Sequence, residues 1–396
     1  MKNLVLDTES TTFKKGNPFA RRNRCCAISY LVATDDGIKA DCFPWEYNAP
    51  ATADYLLVAE ELLDDCELLI GFNLKYDLHV LRKAGIIKVY TDFRKKLWCC
   101  QVAQFIIRNQ QERMPSLNSS CAFFGLGQKL DVVEKEYWDK GVDTPDIPWP
   151  VLSEYAISDV DLTYKLYLAQ QKYLEDKPEV RRLIQLACQD LLILAEMEWN
   201  GLRFDTKESA VRAEKIEQEL KEIDEVIKSV VGDFPFNFNS NDHCSVILYG
   251  GTIKFVESEV YDHVYKSGPK QGLTEPRYKH KRTFVTFPRL VEPKEGTQLA
   301  KVGYWSTDES ALTQLKASGG AKTVIKAMLR RSELERLVQT YYRGFPKKIA
   351  EMDWPEDELH SNLNQSVVIT GRLSSSGPNQ QNIPPDVGEL IRTRYV

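Results

Sequence analysis

Near its start the chain reads Leu4-Val5-Leu6-Asp7-Thr8-Glu9, an apolar run that leads into two carboxylates. A short apolar run of this kind is typical of a buried β-strand. Since the side chains of a strand alternate between its two faces, Asp7 and Glu9 project from the same face. Buried carboxylates cost free energy unless they are paired or coordinated, and a hard divalent cation would supply that compensation. Taken alone, such a motif is most often a strand end that exposes two acids.

Two more motifs place carboxylates later in the chain. Gly71-Phe72-Asn73-Leu74-Lys75-Tyr76-Asp77 follows a strand-like segment, and Tyr155-Ala156-Ile157-Ser158-Asp159 lies in a helical pattern. Tyr155 and Asp159 are four residues apart, so they are neighbours on one helix face. Each motif is weak alone, but three in this order, with suitable secondary structure, carry much more weight.

The alternation of strands and helices predicts an α/β fold with a mixed sheet for residues 1–178. The strand patterns cover 4–6, 26–32 and 68–72, and the helical patterns cover 54–64, 76–84 and about 152–174. Pro178 is interpreted as the boundary of this domain.

Together the three motifs resemble the DEDDy 3′–5′ exonuclease signature. The resemblance implies a ribonuclease H-like domain that hydrolyses the 3′ end of single-stranded DNA with two divalent ions, Mg²⁺ or Mn²⁺. In it Asp7 would bridge the two ions and Tyr155 would orient the attacking water. Asn73 would contact the frayed DNA strand. The complete metal ligand set would be Asp7, Glu9, Asp77 and Asp159.

Residues 179–396 contain a second set of motifs, of which the most specific is Thr370-Gly371-Arg372-Leu373-Ser374-Ser375-Ser376. With the following Gly377-Pro378-Asn379-Gln380-Gln381-Asn382-Ile383-Pro384, it resembles family A DNA polymerases of the kind found in bacteriophages. Gln380 departs from the family pattern, where Leu is common. Further matched segments are Glu198–Asp205, Phe238–Ser240, Gly303–Glu309 and Leu334–Tyr341.

The polymerase resemblance implies the start of a palm at 191–205, a mainly helical thumb at about 206–346 and a palm segment at 360–396. Arg372 would reach the minor groove of the primer–template, where its fork can read acceptors that all base pairs share. Asn379 and Gln381, in the same block, are candidate DNA-binding residues.

Residues 252–300 differ in character from the rest of the predicted thumb. They are rich in Lys, Arg, Tyr, Phe and Pro, and Arg282–Phe287 alternates as a strand does. We predict an inserted hairpin or loop. Its basic cluster of Lys279, Lys281 and Arg282 suits single-stranded nucleic acid or a protein partner, and an ordinary solvated charged surface is the alternative.

The motifs that a family A polymerase needs for nucleotide transfer would follow Val396. The sequence therefore favours the proofreading and DNA-binding part of a split polymerase, with a second polypeptide that supplies the fingers and catalytic palm. A free-standing 3′–5′ exonuclease and a non-catalytic scaffold that clamps DNA for a polymerase are the alternatives.

The charge, the cysteine count and the length of the apolar runs bear on where the protein is located. The 396 residues carry a formal net charge of −5 and nine cysteines. No apolar run approaches the roughly 18 residues of a membrane span, and no signal peptide is evident. We therefore expect no membrane partner and a cytoplasmic location, the host cytoplasm if the protein is phage-encoded.

Overall fold

The computed structural model describes residues 2–93 and 96–392. The chain packs as two compact units, one made of Met1–Thr206 with Phe345–Val396 and the other of Lys207–Gly344. Residues 393–396, the last of the predicted palm segment, lie outside the described residues.

Strands and helices alternate through residues 2–206, as the sequence predicts. The strands are β1 (Asn3–Ser10), β2 (Cys25–Thr34), β3 (Gly37–Pro44), β4 (Leu68–Gly71), β5 (Leu97–Cys99) and β6 (Leu202–Phe204). The helices are α1 (Ala53–Asp64), α2 (Leu74–Lys83), α3 (Cys100–Ile107), α4 (Leu117–Phe123), α5 (Val132–Glu136), α6 (Trp149–Tyr173) and α7 (Pro178–Asn200). Single 3₁₀ turns cover Tyr90–Phe93, Trp138–Lys140 and Thr144–Asp146.

The first five strands form one sheet in the order β3-β2-β1-β4-β5. β1 pairs antiparallel with β2 and parallel with β4, and β5 extends the parallel half. The predicted α/β fold with a mixed sheet is therefore confirmed. β1 lies in the middle of the sheet, so Leu4, Val5 and Leu6 are buried, and Asp7 and Glu9 lie in the second half of the same strand.

One apolar core joins the sheet to its helices. α6 packs against β1, β2, β3 and β4, and α7 packs against α2, α3 and β5. The buried cluster accordingly runs from Leu4 on β1 to Ala195 on α7. The boundary predicted at Pro178 coincides with the first residue of α7, but the packed core continues through this helix.

The second unit is mainly helical with one long hairpin. Its elements are α8 (Thr206–Val231), α9 (Asn241–Tyr249), β7 (Gly251–Val264), β8 (Thr274–Phe287), α10 (Glu309–Leu312), α11 (Gly319–Arg336) and a π-helical turn (Leu337–Tyr342). Ile227, Leu248 and Val324 are completely buried where α8, α9 and α11 meet. The sequence predicts a hairpin or a loop within 252–300, and β7 and β8 form a hairpin there.

The chain then returns to the first unit. This last part contains α12 (Gly344–Met352), β9 (Glu358–Leu359), β10 (Asn362–Asn364), β11 (Ser374–Ser376), a 3₁₀ turn (Gln380–Asn382), α13 (Pro385–Gly388) and β12 (Ile391–Arg392). The strands form a three-stranded sheet, β12-β6-β9, and the β10-β11 pair. Among the described residues, no helix is both long enough and apolar enough to cross a bilayer.

A buried carboxylate ties the parts of the first unit together. Glu198 on α7 accepts hydrogen bonds from Lys75 Nζ at 2.6 Å and His79 Nε2 at 2.8 Å, both on α2. It also accepts from the backbone N–H of Leu363 on β10. Burial would raise the pKa of Glu198, but the hydrogen bond from His79 and the Lys75 ammonium lower it overall. The ionised side chain therefore holds α2, α7 and β10 in one arrangement.

Replacing Glu198 tests this arrangement. The Glu198→Ala variant should lose about 3–5 kcal/mol of unfolding free energy, because Lys75 and the Leu363 N–H lose their acceptor in a buried site. The pKa of Glu198 is lower in the folded state, so its stabilisation is present above the usual value of 4.5 and is lost as the pH falls through the folded value. The difference between wild type and variant should therefore shrink in acid.

Urea unfolding at several pH values measures the difference. Glu196→Ala is the matched control on the same helix, since Glu196 pairs with Arg82 at a partly exposed position and should cost less than about 1 kcal/mol. Equal losses of unfolding free energy for the two variants would contradict the stabilising role of Glu198.

Candidate functional site

The structure brings three of the predicted metal ligands together. Asp7 and Glu9 lie on β1, opposite Ser29 and Ala27 of β2, and point to the same side of the sheet. α6 packs on this side and carries Asp159. One carboxylate oxygen from each of Asp7, Glu9 and Asp159 lies within 4.8 Å of the others.

Burial makes this cluster electrostatically unfavourable when every member is ionised. Burial first, and then repulsion from Asp159, raises the pKa of Asp7 to about 7. Burial and the neighbouring Asp7 likewise raise the pKa of Glu9 well above its ordinary value. Carboxylates that share a desolvated site are stabilised either by protonation, which the raised pKa values express, or by a nearby cation.

Lys129 supplies part of the missing positive charge. Its Nζ pairs with Asp159 Oδ2 and lies 4.6 Å from the ring centre of Tyr155. Burial alone would lower the pKa of Lys129, but the neighbouring carboxylates, Asp159 first among them, raise it. The second carboxylate oxygen, Asp159 Oδ1, is buried without a hydrogen-bond partner.

Asp77, the fourth predicted ligand, lies at the N-terminal turn of α2 and outside this group of three. Its Oδ1 accepts hydrogen bonds from the Thr8 N–H at 3.0 Å and the Thr8 hydroxyl at 2.8 Å. Burial and repulsion from Asp7 raise its pKa, whereas the bonds from Thr8 lower it, and the net shift is upward. Thr8, which lies between Asp7 and Glu9 on β1, therefore holds Asp77 beside the cluster.

Tyr155 is positioned by apolar packing. It is 1% exposed and belongs to a small core with Ala27, Ile147 and Leu152. Trp138 packs edge-on against its ring at 5.8 Å. Burial raises the pKa of Tyr155, so the phenol stays protonated and can both donate and accept a hydrogen bond.

A cleft of about 620 Å³ opens beside β1. Among the clustered carboxylates only Glu9 lines it, together with residues of the loops that follow β1 and α5. Thr8, Thr12, Lys15, Tyr76 and Trp138 are part of its wall. The cleft provides space for a ligand next to the carboxylates.

Asn73 lies at the start of α2 with its side chain exposed. Its backbone is left-handed, with φ of 56°, a conformation that Asn tolerates better than most residues. Its side chain makes no capping hydrogen bond, so the amide remains available to a ligand.

The second motif forms an exposed turn and strand. Gly371, with φ of 72°, closes the turn, and Arg372 leads into β11 with an exposed side chain. Gln381 Nε2 donates to the carbonyl oxygen of Leu373 at 3.1 Å, and its N–H donates to Asn379 Oδ1 at 2.9 Å. The three candidate DNA-binding residues of this block therefore lie on one hydrogen-bonded surface segment.

The remaining predicted residues, Lys279, Lys281 and Arg282, lie on β8 of the second unit and are all exposed. Sequence reasoning did not single out Lys129, Thr8 or Glu198 for their roles here. Thr8 and Glu198 stand inside quoted motifs, but Lys129 lies in a segment without a motif. Only the fold shows that its ammonium reaches Asp159.

Comparison with known proteins agrees with the second motif. Residues 284–396 match the family model "DNA polymerase family A". DNA polymerase I of Synechocystis sp. is 28% identical over 331 residues, which are 82% of this chain and 28% of that protein. DNA polymerase I of Pseudomonas aeruginosa is 23% identical over 400 residues, which are 99% of this chain and 38% of that protein. The chain thus spans only about a third of the length of these relatives.

A solved structure shares the fold. It is the POL domain of Pol1 from M. smegmatis in complex with DNA primer-template and dNTP. The match has a TM-score of 0.64 at 17% identity and covers 99% of this chain and 54% of that one. The chain therefore shares the fold of that polymerase domain, and its residues 284–396 match the family A DNA polymerase model.

Proposed function

We propose that the protein is a metal-dependent 3′–5′ exonuclease that proofreads DNA for a family A polymerase. The observation that carries this proposal is the convergence of Asp7, Glu9 and Asp159 around a buried, unpartnered carboxylate oxygen. Residues 1–178 would form the ribonuclease H-like nuclease domain. The polymerase segment in the same chain makes DNA the natural substrate.

The residues present fit divalent cations. The donors are carboxylate oxygens, which Mg²⁺ and Mn²⁺ prefer. Asp159 Oδ1 lacks a hydrogen-bond partner, and burial and mutual repulsion raise the pKa values of Asp7 and Glu9, which a bound cation would offset. Asp7, Glu9 and Asp159 would hold the ions, and Asp77, fixed beside them by Thr8, would complete the set.

Two bound ions would activate a water and stabilise the leaving 3′-oxygen of the phosphodiester. The chain's own groups would do the rest. Tyr155, protonated and rigidly packed, would orient the attacking water through its hydroxyl. Asn73 and the cleft beside Glu9 would hold the end of the single strand. Lys129 pairs with Asp159, and it would also attract the phosphate.

Arg372, Asn379 and Gln381 would bind the primer–template. The M. smegmatis relative in the comparison holds such a DNA, and Arg372 is exposed on the matching segment. The fixed contact of Gln381 with the Leu373 carbonyl orders this surface before DNA arrives. A partner polypeptide that supplies fingers and the catalytic palm, and a bacteriophage source, stay predictions from the sequence.

Metal binding should be visible as stabilisation. Mn²⁺ at a hundred times its dissociation constant should stabilise the folded wild type by about 2.7 kcal/mol. Asp7→Asn should abolish most of this gain, and without metal it should raise the melting temperature because a desolvated, repelled charge is gone.

Thermal unfolding with and without Mn²⁺ measures both effects. Asp161→Asn is the control on the same helix, since Asp161 is exposed and pairs with Lys165. A wild type that gains no stability from Mn²⁺ or Mg²⁺ would exclude the metal site.

Exonuclease activity is the direct test. The purified chain should shorten a 5′-labelled single-stranded DNA from its 3′ end in Mg²⁺ or Mn²⁺. Asp7→Ala and Asp159→Ala should each lower the rate roughly 100-fold or more, because the ions supply several kcal/mol of transition-state stabilisation. Asp161→Ala should digest DNA as wild type does. Digestion that survives both cluster substitutions would remove the site assignment.

The role of Arg372 is separable from the nuclease. Arg372→Ala should weaken primer–template binding roughly tenfold while leaving single-strand digestion within about twofold, since a minor-groove contact is lost and the cluster is untouched. Arg182→Ala, at an exposed position of α7, controls for loss of charge. Binding is measured by fluorescence anisotropy in the presence of a chelator, and equal effects of the two variants would refute the contact.

A further inference from the structure

The β7–β8 hairpin is a long ribbon with two different faces. Its strands have 14 residues each and pair from Gly251 opposite Phe287 to Val264 opposite Thr274. Residues opposite each other in an antiparallel pair share a face, and faces alternate along each strand. In this register every odd-numbered residue faces one side and every even-numbered residue the other. We call these the odd face and the even face.

The base of the odd face fixes the hairpin to its unit. Ile253, Phe255 and Phe287 are buried against Phe234 and Phe236. Beyond this base the side chains of both strands are mostly exposed. The even face is exposed along its whole length, including the base.

Charge is balanced on the odd face. Glu257 stands opposite Lys281, and Glu259 stands opposite Lys279. Toward the tip, Glu275 accepts hydrogen bonds from Lys270 at 2.7 Å and from the Tyr265 hydroxyl, also at 2.7 Å. Opposite charges directly across a strand pair attract each other. Two of the three basic residues that the sequence singled out are therefore offset by acids.

The even face combines cations with exposed aromatic rings. Arg282 stands opposite Val256 and Lys254 stands opposite Phe284, so neither cation has a carboxylate across the ribbon. Phe284 is 67% exposed and Tyr278 is 66% exposed. The ribbon as a whole carries seven Lys or Arg against four Asp or Glu in a chain of net charge −5.

The remaining polar groups of this face do not cancel its charge. The Ser258 hydroxyl and His280 Nδ1 are hydrogen-bonded at 2.8 Å. Asp262, opposite Pro276, is the one carboxylate of the even face on the paired strands and lies toward the tip. Exposed rings interleaved with cations suit single-stranded nucleic acid, because bases stack on the rings and the cations contact phosphates.

We propose that the even face of the hairpin binds single-stranded DNA, with bases stacked on Tyr278 and Phe284 and phosphates held by Lys254 and Arg282. The proposal rests on the proposed function for DNA as the ligand. It assigns the binding to one face and leaves Lys279 and Lys281, on the odd face, outside it. The hairpin would hold a single strand on the second unit, separately from the carboxylate cluster of the first.

The test compares matched double variants of the full chain. A labelled oligodeoxythymidine is titrated in a chelator, so that no strand is hydrolysed, at several salt concentrations. Lys254→Ala with Arg282→Ala should weaken binding roughly tenfold. It should also reduce the slope of log affinity against log salt concentration by about 1.4, since each phosphate contact with a single strand contributes about 0.7 to this slope. Lys279→Ala with Lys281→Ala removes the same charge and should change affinity less than about twofold.

The aromatic pair separates stacking from charge. Tyr278→Ala with Phe284→Ala should weaken binding roughly fivefold or more without altering the salt dependence, because base stacking does not release counterions. Since these side chains are exposed, all variants should keep the wild-type melting temperature. Equal losses from the two cation pairs, or no loss from the aromatic pair, would overturn the proposal.

The outcome is independent of nuclease activity. Asp7→Ala should bind the same strand as tightly as wild type in the chelator, because the hairpin is unchanged. Loss of digestion in Asp7→Ala together with normal binding by every hairpin variant would reject the hairpin proposal alone. The even-face pattern of losses in a chain that digests no DNA would reject the nuclease alone.

Discussion

The central constraint on this structure is that several carboxylates lie together in one desolvated site. Asp7 and Glu9 are forced together by the alternation of β1, and α6 adds Asp159. Burial and repulsion between these carboxylates raise the pKa values of Asp7 and Glu9 and so disfavour their ionised forms. The buried negative charge needs positive charge to offset it, and Lys129 supplies part of that charge. The negative charge that Lys129 does not offset is the reason why divalent ions belong in the proposed mechanism.

The same unit connects the cluster to the polymerase segment. Glu198 holds α2, whose first turn carries Asp77, and also holds β10, which pairs with the strand of the Arg372 motif. The Met114 N–H and the Gln365 side chain add hydrogen bonds between the N-terminal part of the first unit and the returning chain. Packing therefore makes one body of two segments that are far apart in sequence. In the proposed function, this body would hold both the hydrolytic site and a primer-binding surface.

The hairpin shows how register converts a basic sequence into two unlike faces. The cluster Lys279-His280-Lys281-Arg282 reads as continuous positive charge in the sequence. On the ribbon its members separate, and acids on β7 offset those of one face. A count of charges along the chain therefore overestimates the basic surface on one side and misses Lys254, Tyr278 and Phe284 on the other.

The sequence by itself determined the fold class and singled out the carboxylates of the candidate site. The apolar run of β1, the period of α6 and the alternation of strands with helices follow from local pattern, and strand alternation alone places Asp7 and Glu9 on one face. Tertiary structure decided what depends on contacts between distant segments. It placed Asp77 on Thr8 rather than in the group of three, brought Lys129 to Asp159, and buried Glu198 under α2 and β10. It also continued the apolar core of the α/β part through α7 and set the hairpin register, because such contacts are fixed by packing and pairing that no local pattern encodes.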